Sequence, residues 1–258
     1  MTRPALLETR GLSKSFGAVV SAADINVSIV LNSVVGLIGT NGAGKTTFLN
    51  MVTGYLKPSG GQILYDGRDI TGLGPRAMAR LGICRSFQIP QVFDTLSVEE
   101  NLLAAAGVVA RNAGNGWINW RDKIIPALHK PAGAVAEDVL QRFGLAVDRN
   151  KIARQLPQGL RKLLDIAMAL IATPRLLLLD EPTSGVSAEE KFAVVEMVMQ
   201  AVRGDAVAVL FVEHDMDIVA RFAQRVLAFY DGRVLKDGTP DVVLSDAEVS
   251  RYVTGRIG

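Results

Sequence analysis

An α/β fold carrying an inserted helical segment is what this sequence predicts, and three observations lead to it. The apolar, β-branched run Val34-Val35-Gly36-Leu37-Ile38 feeds directly into Gly39-Thr40-Asn41-Gly42-Ala43-Gly44-Lys45-Thr46, and Phe48, Leu49 and Val52 follow at helical spacing. Two further apolar runs, Leu176–Leu179 and Val207–Val212, end in charged residues, Asp180-Glu181 and Glu213-His214-Asp215. From about Asp94 to Arg154 the text turns helical or irregular before strand signals return.

The elements follow in chain order. Residues before Val34 alternate in places, as in Asp24-Ile25-Asn26-Val27-Ser28-Ile29, which predicts antiparallel strands leading to the loop strand. Gly60 to Gly67 reads as a short strand between turn residues. Ser97 with Glu100 three positions on is a capping-box pattern that starts a helix. Leu160, Leu163, Leu164, Ala167, Leu170 and Ile171 form one apolar helical stripe, which Thr173-Pro174 ends. Val226–Phe229 is a strand, and Tyr230-Asp231-Gly232-Arg233-Val234 predicts a hairpin with a tight Asp-Gly turn. The resulting division is one domain over 1–258, its core formed by 1–93 and 161–258 around a helical subdomain at 94–160.

Composition narrows the possibilities. At 258 residues the chain can bury a substantial core, and a net charge of +2 gives no nucleic-acid footprint. Cys84 is the only cysteine, which excludes internal disulfides and suits a reducing compartment. Met1 to Arg10 holds no long apolar core, so no secretory signal is read there. The longest apolar runs fall far short of the ~20 residues that a spanning helix needs. Hydrophobic residues nevertheless reach 49% and mean hydropathy is +0.26, which implies either a large core or a surface covered by a partner.

Chemistry concentrates at the strand ends. Gly39 to Thr46 is a complete G-x-x-x-x-G-K-[ST] loop between a strand and a helix, so it binds the phosphates of a nucleoside triphosphate. The glycines let several main-chain N–H groups approach one anion, and the helix N-terminus adds partial positive charge. The binding set is Gly39, Thr40, Asn41, Gly42, Ala43, Gly44, Lys45, Thr46 and Thr47, with Lys45 reaching the β- and γ-phosphates and the Thr46 hydroxyl ligating Mg²⁺. Asp180 fits a Mg²⁺ partner, and Glu181, pointing elsewhere by strand alternation, fits the base that deprotonates water. His214 is placed to contact the γ-phosphate, and the neutral amide of Gln88 suits Mg²⁺ or water. Gly159 at the start of the apolar helix leaves backbone N–H groups for a second anion.

These motifs, in this order and over nearly the whole chain, resemble the ATP-binding-cassette ATPases. Gly39–Thr46 matches Walker A, Leu176–Asp180 matches Walker B, Glu181 the catalytic glutamate, Gln88 the Q-loop and His214 the switch histidine. Leu156–Leu160 stands at the signature position, and Phe16 where the family's aromatic residue stacks on adenine. Arg85-Ser86-Phe87-Gln88, Leu156-Pro157-Gln158-Gly159 and Glu213-His214-Asp215-Met216 look most like the ATPase subunits of branched-chain amino-acid importers. Importers of urea or amides and a lipopolysaccharide-exporting ATPase share much of this pattern. A soluble cassette is disfavoured by the single phosphate loop and the lack of a heptad run. A GTPase is disfavoured because Asn150-Lys151-Ile152-Ala153 lacks the guanine-reading aspartate.

The resemblance implies an ATPase using ATP and Mg²⁺, paired head to tail with a second cassette, identical or not. It also implies transmembrane permease subunits, a periplasmic solute-binding protein acting indirectly, and a peripheral place on the cytoplasmic face of a bacterial inner membrane. The helical insertion is either a packing module or a docking surface for the permease, and Trp117 and Trp120 either pack inward or contribute to it. Two segments depart from the family pattern. Pro157 and Gln158 stand where the signature has serine and glycine, and Ser187 where aspartate is common. Pro157 supplies neither hydroxyl nor N–H, so backbone donors near Gly159 are the ones expected to serve the opposite ATP.

Overall fold

The computed structural model describes residues 4–112, 124–125 and 129–255. In chain order these form β1 (Ala5–Phe16), β2 (Val19–Val30), β3 (Val34–Gly39), α1 (Lys45–Val52), β4 (Gly60–Tyr65), β5 (Arg68–Asp69), α2 (Pro75–Arg80), β6 (Ile83–Ser86) and α3 (Val98–Asn112). There follow β7 (Ile124–Ile125), β8 (Lys130–Pro131), α4 (Ala132–Arg142), α5 (Gln158–Ile171), β9 (Leu176–Asp180), α6 (Lys191–Ala201), β10 (Ala208–Val212), α7 (Met216–Phe222), β11 (Arg225–Tyr230), β12 (Arg233–Gly238) and α8 (Pro240–Leu244). The chain divides into two compact units, one of Met1–Ile83 with Ala206–Gly258 and one of Cys84–Asp205. The second unit is wider than the 94–160 helical segment drawn from the sequence, because β9 and α6 group with the helices.

In the first unit an antiparallel sheet runs in the order β2-β1-β4-β5. Leu7 lies opposite Ile29 and Tyr65, and Thr9 opposite Val27 and Ile63. Leu7, Ile29 and Ile63 are fully buried, which fixes the register because a one-residue slip would expose them. A second sheet carries β12-β11-β3-β10 in that order. Here β3 is parallel to both β10 and β11, with Leu37 opposite Val212 and Leu227. Parallel strands buried on both faces require continuous apolar text, and Val35, Leu37, Ile38, Val209, Leu210, Phe211, Leu227 and Phe229 provide it. The hairpin β11–β12 has the expected turn, with Asp231 at φ 48° and Gly232 at φ 73°. Phe48 of α1 meets Phe229 of β11 at 5.6 Å between ring centroids, both rings fully buried, each contributing roughly 2–3 kcal/mol.

In the second unit β9 runs beside β6, and all five of its residues are buried. Helices α3, α4, α5 and α6 gather Leu102, Ala106, Val139, Leu140, Leu164, Ile171, Val195 and Val198 into one core. The capping box forms as drawn: Ser97 N–H donates to Glu100 Oε2 at 2.7 Å, and Glu100 N–H donates to Ser97 Oγ at 3.2 Å. Helix α5 begins at Gln158, two residues earlier than the apolar stripe indicates, because Pro157 is suited to the N-cap geometry (φ −54°, ψ 153°). Helices α2 and α6 carry no such start signal: neither has a side-chain cap. Trp117 and Trp120 lie outside the described residues. Among the described residues no helix is long and apolar enough to cross a membrane.

Candidate nucleotide site

The phosphate loop belongs to the first unit. It leaves β3 at Gly39 and enters α1 at Lys45, with Gly44 as N-cap. Packing, as well as turning, demands two of its glycines. A Cβ on Gly44, whose φ is 98°, would stand 2.6 Å from the Ser21 carbonyl oxygen, and one on Gly39 would stand 2.6 Å from that of Phe229. The Asp231-Gly232 turn braces the loop from outside: Gly232 N–H donates to the Ala43 carbonyl at 3.1 Å, and Ala23 N–H to the Gly232 carbonyl at 2.8 Å. Thr47 Oγ1 and Ser21 Oγ share a hydrogen bond of 2.7 Å, so Thr47 fixes the helix start. The Lys45 ammonium is buried and donates to the carbonyls of Gly39 at 2.6 Å and Thr40 at 3.0 Å. It is therefore folded over its own loop, with Thr46 exposed beside it and Asn41 and Gly42 exposed at the tip.

Two other expected residues share this unit. His214 follows β10, the strand that pairs in parallel with β3, and is exposed. Its neighbours are occupied locally: Glu213 N–H donates to the Leu37 carbonyl at 3.3 Å, and Asp215 caps α7 by accepting from Asp217 N–H. Phe16 ends β1 with 52% of its surface exposed, its ring covered on one side by the Lys14 ammonium at 5.1 Å. An exposed aromatic face backed by a cation suits stacking on a base.

Asp180, Glu181, Gln88 and Gly159 belong to the second unit, and two of these are brought together. Gln88 Nε2 donates to Glu181 Oε2 at 2.8 Å. Glu181 sits at φ 49°, a left-handed conformation that costs of order 1–3 kcal/mol and that turns its side chain away from the line of β9. Asp180, one residue earlier, is buried and paired with Arg85 of β6, Nη2 to Oδ2 at 2.5 Å. The two adjacent carboxylates thus occupy two environments, but strand alternation is not the cause: β9 ends at Asp180, and the left-handed turn at Glu181 separates them.

The main chain around Gln88 is held by α5, which the sequence reading did not anticipate. Lys162, fully buried, donates to the carbonyls of Phe87 at 2.7 Å and Gln88 at 2.5 Å. Asp165, one turn on, accepts from Gln91 N–H at 2.8 Å and Phe87 N–H at 3.3 Å. Burial holds the Asp165 carboxyl above its ordinary range, against the lowering from the Gln91 amide, the Lys162 charge and the Phe87 amide. Arg161 pairs with Asp94 at 2.5 Å. A lysine and an aspartate three apart beside the apolar stripe of α5 were the available signal. Gly159 is buried at the start of the same helix, against Val186, Glu190 and Val194. Gln158 lies against Gly185, and Ser187 Oγ donates to Glu190 Oε2 at 3.2 Å, so both departures from the family pattern make contacts within this unit.

The donor types suit a hard divalent cation. Among the described residues no three His, Cys, Asp or Glu side chains gather as a metal cage. A hydroxyl, one or two carboxylates and substrate phosphates are what Mg²⁺ commonly uses instead. Cys84 is not a nucleophile for this site, because burial pushes its thiol up to about 11.

Residues 22–184 match the model of the ABC transporter family. Over 258 residues the chain is 33% identical to the high-affinity branched-chain amino acid transport ATP-binding protein BraF of Pseudomonas aeruginosa, with 99% of each chain covered. It is 32% identical, with the same coverage, to the corresponding protein LivG of Escherichia coli K12. A crystal structure of a nucleotide-free ATP-binding cassette from an ABC transporter superposes with a TM-score of 0.78 at 28% identity, covering 95% of this chain and 97% of that one. With the loop, the strand-end carboxylates and the fold in agreement, the chain belongs to the ABC transporter family as one of its ATP-binding cassettes.

Proposed function

We propose that this chain hydrolyses ATP to energise the import of branched-chain amino acids. The observation that carries the solute class is the full-length likeness to BraF and LivG. Phosphates lie on the main-chain N–H groups of Gly39–Thr46, and Lys45 exchanges its loop carbonyls for the β- and γ-phosphates. Phe16 stacks on the adenine. Thr46, Asp180 and Gln88 are the residues that would hold Mg²⁺, which supplies charge neutralisation of the phosphates when bound. Glu181 accepts a proton from water as its oxygen attacks the γ-phosphorus, and the bond to the β–γ bridging oxygen breaks to leave ADP and phosphate. The Gln88 amide orients that base, and His214 donates to the γ-phosphate.

In this reading Gly159 and the start of α5 face the ATP of a second cassette, identical or homologous. Permease subunits read the opening and closing of that pair at the cytoplasmic face of the inner membrane, and a periplasmic binding protein delivers the solute. The test is co-expression with candidate permease subunits and a second cassette from the same organism, reconstitution in liposomes, and uptake of labelled leucine, isoleucine or valine. ATP-dependent uptake that Glu181→Gln abolishes is expected; a complex that hydrolyses ATP yet moves none of these solutes overturns the solute class.

A further inference from the structure

The interior ion pair between Arg85 and Asp180 has no counterpart in the roles given so far. The two side chains are 6% and 9% exposed, and Nη2 meets Oδ2 at 2.5 Å. A guanidinium keeps its charge at any ordinary pH and is rarely buried without a purpose. Both backbones are fixed, since Arg85 lies on β6 and Asp180 on the neighbouring β9. Nor is the side chain loose: its guanidinium carbon lies 5.0 Å from the centre of the Phe87 ring, and the Phe87 main chain is held by Lys162 and Asp165. A positive charge is therefore kept against the carboxylate assigned above to the metal.

We infer that Arg85 is a built-in counter-cation, which neutralises Asp180 inside the protein and competes with magnesium for it. The inference rests on the proposed assignment of Asp180 to the metal. Two effects follow, and they have the same sign. Without Arg85 the buried carboxylate loses its counter-charge, which destabilises the metal-free protein. A divalent ion arriving at Asp180 no longer meets a fixed positive charge close by, so it binds more tightly. Orientation of the carboxylate by the guanidinium acts in the opposite direction, but repulsion between a fixed unit charge and a doubly charged ion that would share the same carboxylate outweighs the positioning of one rotamer. Arg85 thus acts through the charge it sets against Asp180, and that charge sets how much magnesium the site needs.

The experiment uses the full chain and titrates magnesium against a non-hydrolysable ATP analogue by calorimetry, with thermal melting in EDTA alongside. Arg85→Met should lower the half-saturating magnesium concentration about tenfold and lower the melting temperature in EDTA. Arg85→Lys, which keeps the charge, should leave the magnesium requirement within about threefold of the parent. An unchanged or higher requirement in Arg85→Met overturns the inference. Should that variant not fold, Arg85→Met with Asp180→Asn removes both charges and should recover the fold; failure to recover it overturns the pairing. Asp180→Asn alone separates the two ideas. If it leaves the magnesium requirement unaltered, the metal assignment itself is wrong, and the competition falls with it. If it raises the requirement while Arg85→Met does nothing, only the counter-cation is wrong.

Discussion

The phosphate loop of the first unit and the carboxylate end of β9 in the second are held in place by opposite means. Around Gly39–Thr46 the bracing is main chain on main chain: Gly232 on Ala43, Gly44 against Ser21, Gly39 against Phe229. Even the one cation, Lys45, rests on loop carbonyls. Around Asp180 and Glu181 side chains do the holding: Arg85 on Asp180, Gln88 on Glu181, Lys162 and Asp165 on the backbone beside Gln88. A backbone cradle is rigid and accepts any phosphate. A web of charged side chains can change partners, which suits residues that must respond as ATP becomes ADP.

Substitutions should divide along this line. Glu181→Gln has the largest expected effect, a loss of turnover of about 10³-fold with ATP affinity kept, because it removes a base while preserving shape and the Gln88 contact. Phosphate release and equilibrium ATP binding measure the two halves of that claim; undiminished turnover removes Glu181 from its role. Lys45→Ala acts on the other region and should weaken ATP binding itself, by about a hundredfold in calorimetry. Loss of turnover at unchanged affinity would mean that the main-chain donors alone carry binding.

Effects on stability come next. Gly44→Ala places a methyl group 2.6 Å from the Ser21 carbonyl at φ 98°, which should cost about 1–3 kcal/mol and lower the melting temperature by several degrees. Lys162→Met keeps the aliphatic stem but strips the donor from the Phe87 and Gln88 carbonyls. A cost of about 2 kcal/mol is expected, with faster amide exchange confined to residues near Gln88. If exchange rises equally at the phosphate loop, the two regions are not held independently.

The smallest effect concerns pH. Because burial raises the Asp165 carboxyl, its contribution to stability is present below the ordinary carboxylate range and is lost as pH rises through the raised value. Asp165→Asn cannot titrate, so its melting temperature should improve relative to the parent as pH goes from about 3 to 7. A difference that is flat across that range would show that the carboxyl titrates normally.

Much of this could be read from spacing alone. The order of strand, glycine loop and helix, the acidic end of β9, the Ser97–Glu100 cap and the Asp231-Gly232 turn are local patterns, each decided by residues within a few positions of one another. Local order fixes local conformation, because φ preferences, caps and apolar period act over one or two turns of chain. The partners of those motifs were settled only by packing. Lys162 finds Phe87 75 positions away, and Arg85 finds Asp180 95 positions away. No spacing rule selects such pairs. They form because burying a charge requires an opposite charge or a carbonyl at hand, and the close-packed interior of each unit determines which one is there.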